Sequence, residues 1–290
     1  MMAPPVTSAA VRTAAPVTGS RTAGFAFGMP EVEQWAQFSS DRNPIHFDLA
    51  RARVAGLDAL IVHGMLALMP VKQSVARMAP ATGWTKFRAL FRHPIPHGRA
   101  IALDAAPGGA GLRFRVGAAV DQFEHFRGTY GPADDPTPAL DGEQVAFETP
   151  LDHTMAERFA ACYPAVREAW IALDAVVFSE FMRTRLHIVE DLAQAALLRR
   201  HGAAPASKVV VQLSHTVTFD AAFFGALAGP AAWDALRYAM CMPELVAGEQ
   251  QLSGTVLLPV MSEGRLVMLM EVGLVSKFDV PHPHSRESTP

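Results

Sequence analysis

The chain has 290 residues, 50% of them hydrophobic, and a formal net charge of -3. That length suits one large domain or two of ordinary size with a substantial core, and the lack of a basic excess argues against a general nucleic-acid partner. Cys162 and Cys241 are too few for a disulfide framework and too far apart for a local metal motif, so a reducing, cytoplasmic setting is expected. No run of about eighteen apolar residues marks a membrane span.

Residues 1–23 are rich in Ala, Pro, Thr and Ser, carry Arg12 and Arg21 and lack acids. This composition is expected to form a disordered tail. Organelle import is the lesser alternative, because the prolines oppose an amphipathic helix. A first unit is expected over 24–130. Phe25 to Phe27 reads as a strand, and Pro30 to Phe38 as a helix opened by proline. The residues that follow concentrate the chain's chemistry.

Asp41 and His46 stand five positions apart, with Asn43-Pro44 between them favouring a turn. A turn lets a carboxylate and an imidazole converge on one water, where burial and mutual charge tune both for acid and base work. Asn43 can orient that water. Asp48 reads as the N-cap of a short helix beginning at Leu49. Gly64 then opens an apolar helix reaching about Met78, whose free N-terminal N–H suits a thioester oxygen gaining negative charge. Taken singly, Asp-x-Asn-Pro is a common turn signature. The fixed order of acid, amide, imidazole and glycine-led helix is what gives it catalytic meaning.

Asp41-Arg42-Asn43-Pro44-Ile45-His46-Phe47-Asp48, followed by Ile61-Val62-His63-Gly64-Met65, resembles the signature of the MaoC-like (R)-specific enoyl-thioester hydratases and dehydratases. The resemblance implies a hot-dog fold, an antiparallel sheet wrapped around a long central helix. It also implies syn addition or removal of water on a thioester. In that family the aspartate and histidine matching Asp41 and His46 act on the water and the α-carbon proton. The asparagine matching Asn43 places the water, and the glycine matching Gly64 offers its N–H to the thioester carbonyl. The chain departs from the family pattern at Ser40, where glycine is usual, and at Leu60, where proline is common. Ser40 narrows the loop's backbone choices, because only glycine takes positive φ freely.

His63, Met65 and Ser40 border this stretch and are assigned as substrate-binding positions. His63 also suits a structural hydrogen bond, and Met65 an ordinary core position. No metal and no cofactor are expected beyond the CoA or phosphopantetheine that the substrate carries. Lys86, Arg88, Arg92 and Arg99 lie on or near predicted strands, and solvated surface charge is their default reading.

Strands are predicted at Lys86 to His93, Arg99 to Ala106 and Leu112 to Tyr130, the last with a break or bulge near Phe123. Breakers from Gly131 to Pro138 lie in a linker placed at 131–143. A second unit, 144–279, is expected to repeat the order, with a strand from Gln144, a helix at Thr154 to Tyr163, a long helix at Val176 to His201 and four strands from Lys208 to Lys277. Residues 280–290 are expected to form a second tail. Setting Gly64 against Ser179 brings Asp41 to Ala156 or Glu157, so the second copy lacks the acid and base.

The predicted architecture is therefore α+β, a tandem (double) hot-dog with one catalytic site. The expected activity is that of a lyase interconverting trans-2-enoyl and 3-hydroxyacyl thioesters of CoA or acyl carrier protein. A non-catalytic acyl- or polyketide-binding accessory protein and a hot-dog thioesterase are the alternatives. No nucleic acid and no membrane span are expected, and the chain is either a monomer with an internal pseudo-dimer or a homodimer.

Overall fold

The computed structural model describes residues 20–21, 24–118, 123–143, 145–201, 209–227, 230–243, 245–247 and 251–277. Most of the expected N-terminal tail and all of the C-terminal one lie outside the described residues. Ser20–Arg21, within the first predicted tail, forms a strand.

The first half runs β1 (Ser20–Arg21), α1 (Met29–Ser39), α2 (Leu49–Val54), α3 (Gly64–Met78), β2 (Trp84–Phe91), β3 (Ile101–Gly108), β4 (Gly111–Ala118) and β5 (Glu124–Pro132). The second half runs β6 (Val145–Pro150), α4 (His153–Cys162), α5 (Ala169–Thr184), α6 (Leu186–His201), β7 (Val209–Asp220), α7 (Ala221–Ala226), β8 (Leu236–Cys241), β9 (Leu245–Ala247), β10 (Gln251–Ser262) and β11 (Arg265–Lys277). The strands form one sheet in the order β1-β3-β4-β5-β2-β7-β11-β10-β8-β6, with β9 beside β10. Its two halves mirror each other. If β6, β7, β8, β10 and β11 count as strands one to five of a second unit, each half reads 1-3-4-5-2, and the second strands meet antiparallel at the centre. This is a double hot-dog, in which α3 and α5 are the two central helices.

Sequence chemistry explains most of the boundaries. Glu31 accepts the Gly28 N–H at 2.8 Å at the start of α1, and Asp48 accepts from Ala50 and Arg51 at the start of α2, as its N-cap role predicts. Along β2, Phe87 and Ala89 are fully buried while Lys86 and Arg88 are exposed. Alternation therefore points those two cations away from the core-facing side. From Trp170 to Phe181 all but Ala172 are buried in α5, as expected of a helix packed on every side.

The structure corrects several expected elements. Phe25 makes an isolated bridge to Ile101 in place of a strand through Phe27. The segment expected from Leu112 to Tyr130, with a break or bulge near Phe123, is two antiparallel strands, β4 and β5, divided before Glu124, and the shift in their pairing falls between Val116 and Gly117. The long helix from Val176 is two helices, α5 beginning earlier at Ala169 and α6 following Arg185.

The alignment of Gly64 with Ser179 is also overturned. Ser179 lies inside α5, its hydroxyl donating to the Ala175 carbonyl at 2.8 Å, and the topological partner of Gly64 is Ala169. Between α1 and α3 the first unit inserts residues 40–63, whereas α4 and α5 are joined by 163–168 alone. The second unit thus lacks the whole motif-bearing segment, not just its acid and base.

The two central helices meet through polar groups. Lys72 on α3 donates to Asp174 on α5, and Asp174 Oδ1 accepts from His215 Nε2 on β7 at 2.7 Å, all three side chains being buried. Burial opposes the charge on Asp174, but His215 and Lys72 outweigh it and hold the carboxyl below its usual range. Burial lowers Lys72, and Asp174 counters that effect.

Candidate active site

The motif segment is folded by a relay of short-range hydrogen bonds. Helix α1 ends at Ser40 in the left-handed region, with φ 60° and ψ 11°. The Ser39 hydroxyl then accepts the Asp41 N–H at 3.1 Å, Asp41 Oδ1 accepts the Asn43 N–H at 3.3 Å, and Asn43 Oδ1 accepts the Ile45 N–H at 3.3 Å. Pro44–His46 make one tight helical turn, which carries His46 back toward Asp41. Asn43 Nδ2 donates to the Val210 carbonyl at 2.9 Å, so the loop is tied to β7 of the second unit.

Ser40 is the left-handed position where the family pattern has glycine, and a side chain there costs on the order of 1 kcal/mol. Ser40→Gly should therefore stabilise the fold by about 1 kcal/mol. A urea unfolding midpoint equal to or below that of the wild type would contradict this.

His46 Nδ1 donates to the Ile61 carbonyl at 2.8 Å, and His97 Nε2 donates to the same oxygen at 3.0 Å. That bond fixes the tautomer of His46 and leaves its Nε2 lone pair for chemistry. His63 Nε2 donates to the Asp41 backbone carbonyl at 3.0 Å, and its ring stacks on His46 with centroids 3.7 Å apart at 29°. His63 Nδ1 is buried without a protein partner. Asp41, His46 and His63 bring ligand-type atoms within 4.8 Å of one another. The three groups are of the types that could hold a metal ion.

Gly64 begins α3, ahead of the first intrahelical bond from Ala67 N to His63 O at 3.1 Å, so its N–H belongs to the unpaired first turn. A Cβ at residue 64 would meet the Phe91 ring at 2.9 Å, so a larger residue there would require that ring to move. The approach to this helix is clamped by the turn before β3. Val62 N donates to Ile95 O at 2.8 Å, and His97 N to Leu60 O at 3.0 Å.

Burial raises the Asp41 carboxyl above its ordinary range, with His46 and the Asn43 N–H pulling it back. Burial lowers His46, with Asp41 and Ile61 opposing the shift and His97 adding to it. Burial, His46 and His97 push His63 down to about 2, against the bond to Asp41, so it stays neutral. The opposed shifts of Asp41 and His46 leave the pair able to hold one proton between them.

The predicted residues Asp41, His46 and His63 thus meet in one cluster, and Asn43 braces their loop. Met65 is 2% exposed within the core, while Ser40 is exposed at the loop's start. His97, which lies between the strands predicted to end at His93 and begin at Arg99, was not singled out from the sequence. Trp170, Phe178 and Phe181, the aromatic side chains of α5, are buried in the core.

Residues 6–121 match the model of the MaoC like domain. The 3-hydroxyacyl-[acyl-carrier-protein] dehydratase, mitochondrial, of Arabidopsis thaliana is 32% identical over 69 residues, covering 24% of this chain and 42% of that protein. The matched region thus spans less than half of that relative's length. Among solved structures, a MaoC-like dehydratase is 13% identical with a TM-score of 0.49, covering 90% of this chain and 98% of its own. A conserved hypothetical protein of Mycobacterium tuberculosis described as having a double hotdog fold is 12% identical with a TM-score of 0.48, covering 90% and 97%. The (R)-hydratase from A. caviae is 22% identical with a TM-score of 0.34, covering 41% of this chain and 96% of its own. No helix among the described residues is long and apolar enough to cross a membrane.

Proposed function

We propose that the chain is a hydro-lyase interconverting trans-2-enoyl and 3-hydroxyacyl thioesters, with Asp41 and His46 as its acid-base pair. The observation that carries this reading is their convergence, with opposite pKa shifts, near the unpaired N-terminus of α3. CoA or phosphopantetheine enters as part of the substrate.

In the dehydration direction, neutral His46 Nε2 takes a proton from C2 as the thioester oxygen gains charge against the Gly64 N–H. Protonated Asp41 gives its proton to the C3 hydroxyl, which leaves as water while the C2–C3 double bond forms. In the hydration direction, ionised Asp41 takes a proton from water as its oxygen bonds to C3, and protonated His46 delivers a proton to C2. Each direction uses the pair with one proton, placed on opposite partners. His46 is held for this role by Ile61, and Asn43 by Val210, leaving one Asn43 N–H for the water.

The purified protein is expected to abolish the conjugated absorbance of a short trans-2-enoyl-CoA, of the corresponding carrier-protein thioester, or of both. Absorbance that persists with both, while a known hydratase consumes them, would sink the proposal.

A further inference from the structure

The second unit reaches the site through an irregular strand. On β11, Gly273 faces Ser214 while the next residue, Leu274, faces Gln212, so Leu213 is an extra residue bulging from β7. In regular pleating, residues three apart point to opposite faces. The bulge lets Gln212 and His215 meet, with Gln212 Nε2 3.3 Å from His215 Nδ1. Gln212 also lies against the helix start, its Oε1 3.3 Å from the place a Cβ on Gly64 would occupy.

The buried polar chain behind Gln212 decides which way its amide points. The Asp174 carboxylate accepts from His215 Nε2 at 2.7 Å, so that nitrogen carries the ring proton. Burial and Lys72 keep His215 from gaining a second proton despite Asp174, which leaves Nδ1 an acceptor. Gln212 must then turn its NH₂ toward His215 Nδ1, and the same nitrogen donates to the Ser214 carbonyl at 3.4 Å. The amide oxygen is left facing Gly64.

We infer that Gln212 is a specificity-determining residue supplied by the second unit, its Oε1 a fixed acceptor for an N–H of the substrate beside the thioester. This rests on the thioester reading above. An acceptor so close to the helix start does not suit the thioester oxygen, which needs donors. The nearest N–H in CoA and carrier-bound substrates alike is the cysteamine amide, three bonds beyond the sulfur. The site thereby favours pantetheine thioesters over simple alkyl ones, and Lys72, Asp174 and His215 are positioning residues acting through Gln212.

The test measures dissociation constants of S-butanoyl-pantetheine, and of an analogue with methylene in place of the cysteamine N–H, by ligand-observed NMR. Both are titrated into wild-type protein and the isosteric Gln212→Leu variant, with thermal melting to confirm the fold. The wild type should prefer the amide by about fivefold, the scale of one neutral hydrogen bond, and Gln212→Leu should bring the ratio close to one with analogue binding unchanged. A ratio that persists in Gln212→Leu, an equal loss for both ligands, or no preference in the wild type overturns the inference. If the wild type also turns over enoyl thioesters, the proposed function survives that failure. If it neither binds nor converts them, both fall.

Discussion

Asp41→Asn is expected to lower kcat for dehydration of a 3-hydroxyacyl thioester by about 10²- to 10⁴-fold, the range of a positioned general acid or base. The same variant should be at least as stable as the wild type at neutral pH. The sign follows from the raised carboxyl. An acid whose pKa is higher folded than unfolded binds its proton more tightly in the folded state. Stability therefore declines as pH rises from the unfolded value through the folded one. Asparagine keeps the shape and an acceptor for the Asn43 N–H without that penalty. Wild-type rate should follow a bell against pH, falling on the acid side as the pair takes a second proton and on the alkaline side as it loses its last. Full activity in Asp41→Asn would refute the assignment of the acid, and a large loss of stability would refute the account of its burial.

Asp174→Leu should destabilise the folded chain by about 3–5 kcal/mol, because it leaves Lys72 and the His215 ring proton buried without their carboxylate. Lys72 is 0% exposed and cannot reach water without rearranging both central helices. Replacing both partners, Lys72→Met with Asp174→Leu, should recover most of the loss, because an apolar pair of similar volume satisfies the same space. Urea unfolding of the single and double variants measures this directly. A single variant costing less than about 1 kcal/mol would mean that the pair is not held as a buried ion pair.

The motif was legible in the sequence because its parts are near neighbours. Asp41, Asn43 and His46 lie within one turn, and local bonds from Ser39 to Ile45 fold that turn. Asp48 showed its capping role for the same reason. The tandem hot-dog followed from the resemblance and the repeated order of elements. The start of α5 was misread because a helix buried on all sides offers no periodic edge. The division near Phe123 was legible, but the antiparallel pairing of β4 with β5 was not, because extended residues lie on both sides of it.

The rest depends on contacts that no local pattern encodes. Lys72, Asp174 and His215 come from three distant segments, and each alone reads as an ordinary polar residue in an apolar run. The bulge at Leu213 depends on pairing with β11, and only that pairing brings Gln212 beside Gly64. Ser40 marks the opposite case. Its departure from the family's glycine was visible in the sequence, and the structure shows the left-handed backbone that makes the departure matter.

The most direct test of the account is isotopic. A trans-2-enoyl thioester incubated with the wild-type protein in deuterated water carrying ¹⁸O should yield a 3-hydroxyacyl thioester with ¹⁸O at C3 and deuterium at C2. Both labels should be lost in Asp41→Asn and in His46→Gln. An unlabelled thioester recovered intact would mark a protein that binds without turning over. ¹⁸O in a released carboxylic acid with free thiol would mark a thioesterase, and either result would contradict the assignment of Asp41 and His46 to water addition.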